Sequence, residues 1–391
     1  MKLTTLSSNL PRLQSGDVHR LISDQLTHLL PDTIQGYSCN RKIVSDMVIK
    51  ASVNGKAIEG TCNNLEKAPS GMTVRTYLNE ALSVTQLFDL ERQIQLQLQA
   101  DLPRRLWKKR LDVAMDFHDE PFYGKDLTLC AYACRGEAHQ GTTWFYRVAT
   151  VYVIHHPVPY TLGIVFLLTE YRIVEVVQML LWQVVGSKLR VRGLYLDKGL
   201  CHPEVIAFLK EQPYETLIAC PIRGRQGGTR ALCRGRKSYL TQYTFKPGKP
   251  DAYTVDIAVV RSYETRHRHR RAVWLLYVLI KVSAHPPDVI RARYRSRFGI
   301  ESSYRCLRQT HAMTTSRNPA LRFFLFGVAF LITNVWCALR WCYAQRPRRG
   351  GRTVDKTVYE LQRHLQFLAQ FIDQRYLPVS SICAQVLPLE P

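Results

Sequence analysis

Four residues in the segment YRSRFGIESSYRCLR carry side chains suited to phosphate and metal chemistry: Tyr294, Arg297, Glu301 and Arg308. They follow one another at offsets of 3, 4 and 7 residues. At about 100° per residue, their directions on a helix fall within roughly 60° of one another. One helix face would then present a carboxylate flanked by two guanidiniums and a phenol. That set suits a metal ligand surrounded by phosphate-binding donors. The alternative is a surface Arg–Glu ladder worth ~0.2–0.5 kcal/mol per pair, which has no use for Tyr294 on the same stripe.

Two further carboxylates stand where strands are expected to end. Asp116 lies in AMDFHDEPFYG and Asp197 in LYLDKG. An Asp at the C-terminal end of a strand projects from the rim of an α/β sheet, where active sites form. Two such groups on neighbouring strands repel at neutral pH unless a divalent cation lies between them. Capping of the next turn is the alternative for either Asp taken alone. His118, Asp119 and Glu120 read as charges in a turn, with a metal-related role the lesser alternative. His155 and His156 read as buried, hydrogen-bonded histidines, and His267 and His269 as part of a basic face.

The elements that must position these residues follow from periodicity. LDVAMDF alternates apolar and polar residues as a strand does. Strand-like runs follow at 127–134, 142–154 and 162–168, then a helix over 171–185, a strand over 189–196, a helix over 203–210 and a strand over 215–220. Strands and helices in this order predict a mixed α/β sheet. Residues 222–271 change texture: two β-like runs and a dense set of cations point to a β-rich insertion. Arg223, Arg225, Arg230, Arg234, Arg236, Lys237 and the knot RHRHRR would repel one another without a polyanion partner. An apolar strand over 272–282 and a single helix over 288–308 come next.

Residues 1–105 read as helices over 17–29, 43–51, 58–67, 72–82 and 87–100. The Gly/Pro break at 68–71 between two of them, with Arg75 and Tyr77 facing out, is consistent with a helix-turn-helix DNA reader, although most such pairs are packing units. The run 323–341 is almost long enough to span a membrane, but a buried core helix is the better reading. A basic linker at 346–352 leads to an amphipathic helix over 354–371. The domains expected are therefore 1–105, 106–345 with its insertion at 222–271, and a helical tail at 346–391.

Bulk composition agrees with a nucleic-acid partner. The 391 residues include 54 Lys+Arg against 31 Asp+Glu, a formal net charge of +23, with 46% hydrophobic residues to build a core. Such a field attracts polyanions and says nothing about fold. Eleven cysteines without zinc-like spacing read as reduced thiols of a cytosolic protein. The N-terminus has no apolar run of signal-peptide length.

The triad and the spaced signature together resemble the DDE transposases of bacterial and archaeal insertion sequences, in the group named for a Y-(2)-R-(3)-E-(6)-K pattern. Tyr294, Arg297 and Glu301 match it in type and spacing, and Arg308 stands where that group usually has Lys. The LDKG segment is similar to the group's D-[RK]-G motif. The resemblance covers roughly residues 105–345. It implies an RNase H-like catalytic core, a β-rich insertion between the second Asp and the Glu, and an N-terminal region that binds terminal inverted repeats. It further implies two Mg²⁺ ions (Mn²⁺ substituting) held by Asp116, Asp197 and Glu301, with Tyr294, Arg297 and Arg308 at DNA phosphates. The implied partners are double-stranded DNA, as transposon ends and target, and a second copy of the chain in a synaptic dimer. The implied setting is a prokaryotic cytoplasm, at the nucleoid, without stable membrane association. Three alternatives stay open: a nuclease on the same core without strand transfer, a DNA-binding protein with a dead core, and a basic protein anchored at 323–341.

Overall fold

The computed structural model describes residues 12–381 except 38, 125, 155–159, 249–251, 267–268, 284 and 350; the side chains of 104, 127, 265–266, 269–270, 298–303 and 351–352 also lie outside the described set. In chain order, helices α1 (Ser15–Thr27), α2 (Arg41–Asn54), α3 (Ile58–Cys62), α4 (Gly71–Ala81) and α5 (Leu87–Ala100) come first. Strands β1 (Leu111–Pro121), β2 (Cys134–His139), β3 (Thr142–Ile154) and β4 (Tyr160–Phe166) follow. Next are α6 (Ile173–Gly186), β5 (Val191–Leu196), α7 (Pro203–Glu211) and β6 (Glu215–Cys220). Then come β7 (Tyr239–Phe245), β8 (Tyr253–Arg266) and β9 (His269–Ile280). The chain ends with α8 (Pro287–Arg295), α9 (Gly299–Thr310), α10 (Pro319–Tyr343), the hairpin β10 (Gln345–Arg348) and β11 (Gly351–Val354), and α11 (Leu361–Tyr376).

Contacts divide the chain into two compact units: the residues from Ile94 to Arg305, and those up to Gln93 together with those from Cys306 on. The expected boundaries at 105 and 345 fall elsewhere, and the reason is visible within the second of these units. α10 and α11 both pack on α1 and α2. Asp46 of α2 is fully buried and is reached by His19 of α1 at 2.6 Å, by Arg375 at 3.0 Å and by the Tyr376 hydroxyl at 2.8 Å. A buried carboxylate needs such partners. Those partners tie the end of the chain to its beginning. Every residue of α10 from Pro319 to Trp341 is buried. It is the one helix among the described residues long and apolar enough to cross a membrane.

The other unit is built on one sheet, in the order β2-β3-β1-β5-β6-β9-β8-β7, with β4 also on β3. β1, β5 and β6 run parallel, β3 is antiparallel to β1, β4 is antiparallel to β3, and β9, β8 and β7 extend the sheet beyond β6 through antiparallel pairings. The cationic segment read as an insertion thus continues the main sheet rather than standing apart from it. β4 is buried along its whole length, as a strand covered on both faces must be. Gly163 lets the α6 residue Gln183 approach: a Cβ there would lie 1.8 Å from the Gln183 carboxamide oxygen.

Two segments depart from the periodicity. LTLCAY, expected to begin a strand, is a 3₁₀ turn, capped by Asp126 accepting from the Thr128 amide at 2.9 Å. The helix expected over 288–308 is broken: α8 ends at Arg295, Ser296–Phe298 form a 3₁₀ turn, and α9 starts at Gly299. The Ser296 hydroxyl donates to the Arg293 carbonyl at 2.6 Å, a local bond that competes with continuation of the helix. Shorter differences occur at α3, which stops at Cys62, and at α11, which begins at Leu361 because Val354 is in a hairpin.

Candidate catalytic site

β1 and β5 are parallel neighbours whose last paired residues are Met115 and Leu196. The residues that follow are Asp116 and Asp197, and the Asp197 amide still donates to the Met115 carbonyl at 3.2 Å. Register therefore sets the two carboxylates side by side. Asp116 was expected at a strand end, yet β1 runs on to Pro121, because β3 continues to pair with it: Asp116 faces Thr150 in that register. Asp119, expected in a turn, is likewise in the strand and forms a two-pronged ion pair with its cross-strand partner Arg147, at 2.6 and 2.7 Å.

A single guanidinium bridges the pair. Arg297 Nη1 lies 2.8 Å from Asp116 Oδ2, and Nη2 lies 3.1 Å from Asp197 Oδ1. Its side chain is 8% exposed. The break between α8 and α9 allows this, since it puts Arg297 in the 3₁₀ turn instead of on a continuous helix face. Two tyrosines hold that turn: Tyr152 donates to the Arg297 carbonyl, and the Tyr294 ring lies under the guanidinium with 5.1 Å to its centroid.

Burial pushes the Asp116 carboxyl up to about 6; the neighbouring Asp197 adds to the rise, and Arg297 opposes it. Asp197 also caps the turn that follows it, accepting from the Gly199 amide at 3.3 Å. The capping alternative is thus realised for this residue.

Tyr294 does not present its phenol to a phosphate. It is 4% exposed, packs with Tyr195 and Tyr277, and its hydroxyl donates to the Leu196 carbonyl at 3.0 Å. Glu301 belongs to α9, but its side chain lies outside the described residues. His155 and His156 lie outside them as well, as do the side chains of the basic knot before Arg271. Arg308 is exposed in the last turn of α9, among the residues that contacts group with the helical unit. Among the described residues no group of three or more His, Cys, Asp or Glu could hold a metal ion.

Tyr304 is the residue the spacing argument passed over. It stands in α9, three places after Glu301 in the sequence. Its hydroxyl is 2.8 Å from the Thr150 hydroxyl, on the strand facing Asp116, and its ring is 5.1 Å from that of His118. Burial and the nearby Asp116 charge push its phenol well up. The signal for it was the same helical offset that selected Tyr294 and Arg297.

The six cations Arg223, Arg225, Arg230, Arg234, Arg236 and Lys237 are all exposed. Their loop is folded back on itself: Thr229 accepts from the Arg223 amide and donates to the Pro221 carbonyl, both at 2.8 Å. In the helical unit, Arg75 of α4 engages Glu59 at 2.8 Å rather than standing alone on its surface.

No protein-family model and no curated protein matches the sequence. Among solved structures, the chain is similar to a piggyBac transposase seen by cryo-EM in a synaptic complex with hairpin DNA. The TM-score is 0.56 at 9% sequence identity, over 97% of this chain and 83% of that one. At so low an identity the likeness is one of architecture: this chain has a transposase-like fold.

Proposed function

We propose that the chain is a transposase that cuts DNA and joins strands at the terminal inverted repeats of an insertion sequence, with Asp116, Asp197 and Glu301 as its acidic triad. The carrying observation is the placement of Asp116 and Asp197 on adjacent parallel strands with Arg297 between them. Two half-buried carboxylates this close require a compensating cation. Their hard oxygen donors are the kind that Mg²⁺ or Mn²⁺ takes. When bound by Asp116, Asp197 and Glu301, two such ions would supply Lewis-acid activation of a water or 3′-hydroxyl and neutralise charge on the leaving oxygen.

The chain's own residues do the rest. Arg297, exchanged from the carboxylates, would take a phosphate beside the scissile bond, where its planar fork is suited to bidentate contact. Arg308 would add a second phosphate contact. Tyr294 holds the strand end that carries Asp197. The exposed cations of 223–237 would track the DNA backbone. An RNase H-like core is supported by the order β4-β3-β1-β5-β6, with β1, β5 and β6 parallel. Membership of the YREK group is supported by Tyr294, Arg297 and Glu301 at the group's spacing. The partners are transposon ends and target DNA, with a second copy of the chain in the synaptic complex, at a prokaryotic nucleoid. That the similar solved structure is a synaptic complex with hairpin DNA accords with this reading.

The test is nicking and strand transfer on end-bearing DNA with Mg²⁺ or Mn²⁺. Wild type should nick and join, while Asp197→Asn and Glu301→Gln should lose both activities. Cleavage without joining would make the chain a nuclease. Equal activity in wild type and Glu301→Gln would remove Glu301 from the mechanism.

A further inference from the structure

We propose that Phe117 is a positioning residue for both strand acids: its amide aims the Asp116 carboxylate, and its ring aims that of Asp197 through Gly199. The inference rests on the reading of these two acids as catalytic. The Phe117 amide donates to Asp116 Oδ1 at 2.9 Å, while Oδ2 of the same group meets Arg297 at 2.8 Å. Both oxygens of Asp116 are thus engaged. Successive side chains of a strand point to opposite faces, so the Phe117 ring lies across β1 from that carboxylate. There it meets the turn that follows β5. A Cβ on Gly199 would lie 3.2 Å from Phe117 Cδ2 and 3.4 Å from Cε2, so the ring comes this close only to a residue without a side chain. The Gly199 amide donates to Asp197 Oδ2 at 3.3 Å, and Asp197 Oδ1 meets Arg297 at 3.1 Å. A turn displaced by the ring therefore carries an oxygen of Asp197 with it.

The ring is backed on its far side. The Arg147 guanidinium stands over it, 5.5 Å from the centroid. Asp119 holds that guanidinium with two bonds, at 2.6 and 2.7 Å, and a two-pronged pair of this kind fixes direction as well as distance. A Cβ on Gly136 of β2 would lie 3.3 Å from Arg147 Nη2, which closes the guanidinium in from another side. Arg147 and Asp119 are opposite each other in the β1–β3 register, and Phe117 stands two places before Asp119 on the same face of β1. Contact thus runs from the ion pair through the ring to Gly199 and the Asp197 carboxylate.

The test is a double-mutant cycle on the full chain with Gly199→Ala, Phe117→Leu and the two combined. It is read by nicking kinetics on end-bearing DNA with Mg²⁺ and by urea denaturation. Gly199→Ala presses a methyl group against the backed ring. It should lower kcat by about tenfold with KM for DNA unchanged, since misplacement by about 1 Å can cost a hundredfold. Phe117→Leu makes room, so in that background Gly199→Ala should cost less than about twofold. Arg147→Lys, which gives up the two-pronged hold on the ring, should likewise soften the effect of Gly199→Ala, and it serves if Phe117→Leu does not fold. An unchanged kcat in Gly199→Ala, or the same loss in every background, would overturn the proposal. Coupling seen in urea midpoints alone, with kcat at the wild-type level, would make the contact a matter of stability and overturn it too. If wild type does not nick, it is the transposase reading that fails. The urea cycle then decides whether the ring sets the turn at Asp197: coupled losses uphold that contact and additive losses overturn it.

Discussion

The hydroxyl of Tyr294 donates to the carbonyl of Leu196 at 3.0 Å, and Leu196 is the residue just before Asp197. A side chain chosen for its place beside Glu301 in the sequence thus works on the strand that carries the second acid. Tyr294→Phe should destabilise the fold by about 1–2 kcal/mol, the usual loss when a buried hydrogen bond is removed. It should lower the nicking rate while leaving DNA affinity unchanged. Urea denaturation and a binding isotherm separate the two effects; a weakened affinity with normal stability would restore the phosphate-contact reading.

Replacing Arg297 by Met leaves Asp116 and Asp197 facing each other with no guanidinium between them. Loss of one partner from a buried ion pair costs about 3–5 kcal/mol. The melting temperature of Arg297→Met should therefore fall by several degrees and rise with added Mg²⁺ more than that of wild type. An equal Mg²⁺ response in both proteins would mean that the guanidinium and the cation do not compete for the two carboxylates.

The pH dependence follows from Asp116. Its carboxyl is raised in the folded protein to about 6, above the ordinary value of 3.8. The neutral acid is thus favoured by folding: the stabilisation is present below about pH 4 and is lost as pH rises through about 6. The whole swing is at most about 3 kcal/mol. Asp116→Asn should flatten the stability profile of the metal-free protein over that window. Mn²⁺ binding by wild type should weaken as pH drops below about 6, because protons compete for the same oxygens; titration calorimetry at several pH values measures this.

Tyr304→Phe removes the contact with the Thr150 hydroxyl and keeps the ring against His118. We expect a loss of about 1 kcal/mol in stability and a reduced kcat with KM for DNA unchanged, since the Tyr304 hydroxyl is engaged by Thr150 and its ring by His118. A changed KM at normal kcat would assign it to substrate contact instead.

His364 offers a test confined to the helical unit. It is fully buried, with the Tyr359 hydroxyl 2.9 Å from Nδ1, and burial lowers its pKa to about 3. The unfolded chain takes up a proton near pH 6.5 and the folded one does not. Stability contributed by the neutral ring above pH 6.5 is thus lost as pH falls from 6.5 towards 3, by on the order of 3 kcal/mol at pH 4.5. His364→Leu should remove this slope; an unchanged acid transition would place its origin in other groups.

What could be read from the chain was local. Alternation at Leu111, Val113 and Met115 and the apolar strand before Asp197 depend on neighbours a few residues away, and side-chain period reports them directly, whereas the single helical face drawn from Tyr294 to Arg308 is interrupted at Ser296–Phe298. Tertiary structure decided the rest. That Asp116 and Asp197 are level follows from the pairing of Met115 with Leu196, which no local pattern specifies. That Arg297 bridges them depends on a helix break whose residues, Ser296 to Phe298, are ordinary helix formers by spacing. That α10 is buried with α1 and α2 is likewise a matter of packing partners, because an apolar helix in sequence shows what it must hide and not what will cover it.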